Sequence, residues 1–428
     1  MTIARLFYQS IIWRGLFFLS AFILNVLIAR HYQASASGEI FYLINSYAFI
    51  ILIVSLSLES AMGYYISQNQ ISITKLVNFS LLWTLLIAIG IFICIALVKK
   101  NISYTSTDFL SFTFICGNLL SNYCAGILYA RKNFFLPNII IVSINALLTI
   151  ILLVMDFFHQ KIMSDGTFLI FFFSSFLLQA VVLILVLRLN YIEKWRIIFP
   201  SMADLKKIFR FGLMAFAGNI VTFLLYRIDY WFVKAYCSNI DLGNYIQVSK
   251  LVQMFFILPG ILAIAVFPLT AGGQRQETNN ILTILSRIIL LVYTFCCAGL
   301  AITGYWLFPF LFGNTFKEMY IPFLFLIPGI LALSALYTLT AYYSGKNKMS
   351  VNLKGALIAL LFVVTGDIFF ISRYGINAAA AVSSIGYIVY HIYVIRIFTK
   401  EYNIPVANFF NFKLSDIQKI KRFIFQKY

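Results

Sequence analysis

Three side chains in the middle of the sequence carry charge where charge is expensive. Arg227 and Asp229 sit inside the apolar run 211–233, and Lys250 sits inside 245–271 between Gln247 and Gln253. Ionisable side chains at membrane depth persist mainly where they face a bundle interior or a wet cavity. Arg227 and Lys250 each lie about seven residues from the polar turn between the two runs, which places both roughly 10 Å below one membrane face. Two cations at one depth on successive helices predict a pocket for an anion. Gln247, Lys250 and Gln253 fall within about 60° on a helix and make one polar face. Arg227 and Asp229 are two residues apart and point some ~160° away from each other. They cannot both face a cavity squarely.

Two earlier runs carry the other candidates. Arg14 shares a narrow arc with Ser10, Ala21 and Asn25, a small and polar stripe expected to face the bundle. A snorkelling interfacial arginine is its alternative. In the second run Glu59 shares a face with Asn45 and Ser55, and Asn219 belongs to a 4-3-4-3 stripe with Ala215, Thr222, Tyr226 and Asp229. Arg14 and Glu59 lie at similar depth, so Glu59 reads either as a structural ion-pair partner or as a proton acceptor. Burial favours a neutral carboxyl, whereas a neighbouring arginine favours the ionised one. Glu59 and Asp229 are the carboxylates available for coupling to protons or sodium. Beyond such an ion, no cofactor is expected. His31, His159 and His391 look isolated, and the six cysteines lack metal-ligand spacing, so they read as packing residues. No catalytic constellation stands out, and the chain is not expected to be an enzyme.

The elements that must hold these residues are membrane helices. Hydrophobic residues make up 62% and charged ones 11%, and the mean hydropathy is +0.93; a soluble domain is far more polar. About 20 apolar residues span a bilayer core. Twelve stretches qualify, near 11–30, 40–66, 76–98, 108–130, 138–157, 167–187, 211–233, 245–271, 281–308, 319–343, 351–371 and 375–397. Long unbroken runs exclude a barrel. The fold class is an all-α polytopic membrane protein. A net charge of +18 invites nucleic acid as partner, but its distribution argues against that. With the N-terminus inside, only seven basic residues (Arg30, Lys99, Lys100, Lys161, Lys234, Lys317, Arg373) fall on outer loops. That is the positive-inside asymmetry, with both termini cytoplasmic.

Tyr129-Ala-Arg-Lys132-Asn133, before Asn138, returns 214 residues later as Tyr343-Ser-Gly-Lys346-Asn347, before Asn352. Glycine turns at Gly38 and Gly243 repeat similarly. The chain therefore reads as two parallel six-helix lobes, 1–187 and 211–398, with a substrate site expected between them. A basic linker, 188–210, contains Pro200-Ser201-Met-Ala-Asp204 as a capped helix start. A basic amphipathic tail, 399–428, is expected on the inner leaflet. Pro259, Pro268, Pro322 and Pro328 put hinges in the second half.

Twelve spans in two parallel sextets resemble the polysaccharide-export branch of the multidrug/oligosaccharidyl-lipid/polysaccharide (MOP) exporter superfamily. Gly38-Glu-Ile-Phe-Tyr42, the approach to Phe211-Gly212, and Arg227-Ile-Asp229-Tyr-Trp before Gly243-Asn-Tyr245 are similar to features of Wzx-type O-antigen flippases. The resemblance implies a MATE-like bundle in a bacterial inner membrane. It would flip undecaprenyl-pyrophosphate-linked repeat units outward by alternating access, alongside a polymerase and chain-length proteins. By position it maps a cationic cavity onto Arg14, Arg227 and Lys250. Three intramembrane cations against two carboxylates suit a pyrophosphate. A MATE-like exporter of organic cations is the alternative and would need an acidic, aromatic cavity. A membrane glycan polymerase or transferase is a second alternative, but no outer loop is large enough for its chemistry.

Overall fold

The computed structural model describes residues 3–98, 106–158, 164–192, 196–260, 262–263, 275–412 and 415–416. Lys99, Lys100, His159, Lys161, Lys194, Pro268 and the tail from Ile417 on lie outside the described residues. The helices with described bounds are, in order, α1 (Ile3–Ser55), α2 (Leu58–Ser67), α3 (Ile73–Val98), α4 (Ser106–Ala130), α5 (Phe135–Phe157), α6 (Asp165–Tyr191), α7 (Met202–Arg227), α8 (Asp229–Tyr236), α9 (Asn239–Phe255), α10 (Arg275–Phe312), α11 (Tyr320–Gly345) and α12 (Met349–Tyr402). No strand occurs among the described residues. Eight helical segments among them are long and apolar enough to cross a membrane.

These helices are not the sequence-derived spans one for one. α1 joins the first two runs: the outer turn expected at Arg30–Glu39 is helical apart from Gln33, at φ 60° and ψ 177°. The second run is itself broken, because Leu56 and Ser57 are left-handed (φ 48° and 52°). α12 likewise joins the last two runs and bends only at Gly375, at φ 59° and ψ −146°, a region essentially reserved for glycine.

The chain divides into two compact units, 1–31 with 43–220 and 32–42 with 221–428. The division falls inside α7. In the first unit α4 is the hub, packed on α2, α3, α5 and α6. Helices in lipid associate through close packing rather than hydrophobic burial. Gly117 accordingly brings α4 onto the Phe176–Leu177 backbone of α6, where a Cβ would come within 2.5 Å. Ser121 of α4 serves this contact, its hydroxyl donating to the Phe176 carbonyl at 3.4 Å, whereas the Asn118 amide donates to the Phe114 carbonyl of its own helix at 3.2 Å. α7 begins with the reciprocal cap expected of Ser201 and Asp204, each donating its backbone N–H to the other's side chain at 3.2 Å.

The two repeated turns share a Schellman close. Lys132 and Asn347 are the left-handed residues, with Asn133 N–H bonded to Leu128 O at 3.0 Å and Lys348 N–H to Tyr343 O at 2.8 Å. The backbone therefore matches Lys132 with Asn347, one residue off the sequence match.

In the second unit, α11 packs on α10, α12 and α9, and α8 on α9 and α12. Gly38 and Gly243, expected in turns, are helical. They form a crossing between 32–42 and α9: a Cβ on Gly38 would lie 2.7 Å from the Gly243 nitrogen, and one on Gly243 would run into the Ala34 carbonyl. α9 ends at Phe255, four residues before Pro259, whose missing N–H frees the Phe255 carbonyl. The Tyr293 hydroxyl of α10 donates to that carbonyl instead, at 2.5 Å.

Gly243→Ala is expected to prevent native packing of this crossing or lower the melting temperature of the purified protein sharply, since overpacking typically costs about 1–3 kcal/mol and backbone cannot rotate away. Gly299→Ala, with open space around its Cβ position, should melt like the parent. Equal behaviour of the two variants would show that the crossing does not constrain the fold.

Candidate functional site

The buried charge of the second unit is concentrated on α8, α9 and α12. Asp229 opens α8 and is 2% exposed. Its Oδ2 accepts hydrogen bonds from the Tyr245 hydroxyl of α9 and, at 3.0 Å, from the Ser383 hydroxyl of α12. Its Oδ1 has no partner among the described residues. Asp367, on the first half of α12, is fully buried, with neither oxygen partnered among the described residues, and it feels the charge of Asp229. Three such carboxylate oxygens in one buried cluster are expensive unless a proton, a cation or a water joins them.

Asp367 is a third buried carboxylate beside Glu59 and Asp229, the two that the sequence reading names. The signal was present: a single acid in the apolar run 351–371.

Lys250 stands apart from this cluster on α9. Its ammonium lies 3.1 Å from the centroid of the Phe41 ring, a cation–π contact. It has no ion pair among the described residues, and its charged neighbour is Arg227, which itself lies 5.1 Å from the Phe223 ring centroid. Gln247 is buried and Gln253 half-buried on the same helix. Asp229 is turned into the packed carboxylate cluster and is not the partner of Lys250.

The remaining sequence candidates belong to the first unit. Arg14 and Glu59 do not pair: the Arg14 guanidinium lies 5.1 Å from the Tyr129 ring and 5.5 Å from Phe134. Glu59 lies in the first turn of α2, where the helix dipole favours an acid, and its Oε2 is buried without a partner among the described residues. The Asn219 amide donates to the Ser57 hydroxyl at 2.9 Å, so it braces the α1–α2 break. Asn25 is half-buried. His31, expected to be isolated, is bracketed by two acids: Nδ1 meets Asp156 at 2.5 Å and Nε2 meets Asp165 at 3.1 Å. No group of metal-binding character occurs among the described residues.

The fold is similar to those of solved MOP-superfamily transporters. A structure of the lipid II flippase MurJ in its inward closed conformation superposes with a TM-score of 0.73 at 14% identity, over 95% of this chain and 89% of that one. An inward-facing multidrug resistance MATE family transporter of the MOP superfamily gives 0.66 at 12% identity, over 96% of each chain. A MOP superfamily transporter from Pyrococcus furiosus, described as having a binding pocket of reversed polarity, gives 0.61 at 16% identity over 93% and 96%. No protein-family model matches the sequence, and no curated protein matches it. At these identities the likeness establishes the fold.

If a small cation balances the Asp229–Asp367 cluster, the melting temperature of the purified protein should rise when sodium chloride replaces choline chloride at constant pH. Asp367→Asn should abolish that rise, because one carboxylate fewer removes the need for the ion. A rise of the same size in the variant would place the ion elsewhere.

Proposed function

We propose that this chain is a flippase that carries an undecaprenyl-pyrophosphate-linked oligosaccharide across a bacterial inner membrane by alternating access. The observation that carries the reading is Lys250. It is an ammonium held on an aromatic ring inside a membrane helix bundle, with a second cation, Arg227, as its charged neighbour and no ion pair of its own among the described residues. A pyrophosphate is the chemistry that suits this ammonium with a guanidinium as its neighbour, since charge-assisted hydrogen bonds to phosphate are the strong ones. The glutamine face of α9 supplies neutral donors for the attached sugar. The likeness to a lipid II flippase supports a lipid-linked cargo.

Twelve crossings in two parallel lobes, termini on the cytoplasmic side, and Arg14 as a further cation near the inner face complete this reading. The Asp229–Asp367 cluster is its coupling element: a proton or sodium ion taken up there changes the charge of the bundle between states of the cycle. Glu59 is the second coupling candidate.

A MATE-like exporter of organic cations is the competing reading, and the MATE-family neighbours support it equally. The buried acids favour it, as does an aromatic stack in the same unit, Tyr226 on Phe256 and Phe256 on Tyr337 at centroid distances of 6.2 and 5.8 Å.

Reconstitution into vesicles carrying a labelled polyprenyl-pyrophosphate oligosaccharide decides between them. Wild type should expose the glycan to an external lectin. Lys250→Ala should abolish exposure with normal insertion, and Lys250→Arg should retain part of it. Export of an organic cation dye, with the glycan lipid left in its leaflet, would establish the competing reading. Glu59→Gln should slow glycan exposure and remove its dependence on a proton gradient; unchanged dependence would leave Glu59 a structural residue.

A further inference from the structure

The two halves of α12 form a tight helical hairpin. Gly355 admits the Tyr390 and Tyr393 rings, Gly366 meets Val382, and Gly386 meets Val363, each so close that a Cβ would fall within 3 Å of the opposing atoms. Beside the Gly355 contact the halves leave an open groove of about 520 Å³, lined by Ile358 on the first half and Val389, Ile392, Tyr393 and Ile397 on the second. Arg396 and Lys400 close its polar end.

Those two cations differ from their neighbours. Lys346 and Lys348 pair with Glu401 at 3.4 and 2.9 Å, and Arg287 pairs with Asp416 at 2.9 Å. Arg396 and Lys400 are exposed and have no ion pair among the described residues. Four residues apart, they share one helix face. They follow directly on the apolar second half of α12, so in a bilayer they sit at headgroup depth. An apolar trough that ends in two unneutralised cations matches one amphiphile: a hydrocarbon chain with an anionic head.

We infer that this groove is a binding site for an anionic phospholipid, with one acyl chain along Ile358, Val389 and Ile392 and its phosphate on Arg396 and Lys400. Basic pockets between membrane helices hold anionic headgroups in this way. The groove volume falls in the range of about 300–1,000 Å³ that serves small ligands, which suits a single acyl chain and is short for a polyprenyl one. The site is independent of the cargo and would serve either transport reading.

The test uses the full chain in nanodiscs of equal phosphatidylglycerol and phosphatidylethanolamine, extracted in mild detergent, with native mass spectrometry of the retained lipid. Wild type should retain phosphatidylglycerol in excess. Arg396→Gln and Lys400→Gln, both at exposed positions, should each lower that retention about fivefold, the effect expected of one basic residue near an anionic surface. Ile358→Trp, which fills the groove, should lose both lipids, while Lys354→Gln, an exposed lysine outside the lining, should match wild type. Added inorganic phosphate should not displace the lipid, because the chain supplies part of the binding. Equal retention of the two lipids by wild type would overturn the inference, as would unchanged retention in both charge variants. Displacement by inorganic phosphate, or preferential retention of undecaprenyl phosphate over phosphatidylglycerol, would overturn the assignment to a phospholipid.

Discussion

Hydrocarbon offers no hydrogen-bond partner, so every peptide group freed by an interruption at membrane depth must be satisfied by the protein itself. This constraint explains the placement of many of the buried polar side chains. The same repair is made at the Gln33 bend, in the stretch expected outside the hydrocarbon, where the Thr315 hydroxyl accepts from the Ala34 N–H at 3.0 Å and donates to the Gln33 side chain at 2.9 Å. At the Leu56–Ser57 break, the Trp83 indole donates to Val54 O at 2.9 Å and the Tyr123 hydroxyl to Ser55 O at 3.2 Å. Before Pro259 the donor is Tyr293. Beside Pro328 the Ser384 hydroxyl accepts the Gly329 N–H at 2.8 Å. Each repair joins an interrupted segment to a different helix. The irregularities are therefore also the fixed points of tertiary structure.

Against that background the unrepaired groups stand out. A buried oxygen without a partner costs about 1–3 kcal/mol, and more when charged, yet Asp229 and Asp367 leave three such atoms in one cluster. Lys250 places a cation on Phe41 in the same unit. Opposite charges held apart by packing, each without a counter-ion among the described residues, suit a molecule that must accept and release charged species. Direct pairing would have cancelled both sites.

The sequence makes the class of the molecule legible, because apolar run length and composition answer directly to bilayer thickness. Local chemistry is legible too: Ser201 and Asp204 form the cap that their spacing suggests, and Asp229 proves to be a buried acid. What fails is whatever depends on partners distant along the chain. His31 lies 125 residues from Asp156 and 134 from Asp165, so no window could join them. Arg14 and Glu59 look matched in depth, yet aromatic rings take the arginine. The Leu56–Ser57 break carries neither glycine nor proline. Its left-handed residues are over-determined by their surroundings: Trp83 and Tyr123 hold the Val54 and Ser55 carbonyls, Asn219 holds the Ser57 hydroxyl, and the Ser55 hydroxyl accepts from the Ser57 N–H. Gly38 and Gly243 repeat in the sequence like turn glycines, but their use lies in a helix crossing that local spacing cannot reveal.

The bend at Gly375 is a reversal of direction without a loop. One residue separates the two halves of α12, and three glycine contacts press them together along their length. There is no slack there for a protease to reach or for an inserted epitope to occupy, whichever compartment that end faces. Probes of membrane orientation therefore belong at the opposite end of the hairpin, in the turn around Asn347, where the backbone already leaves the helix.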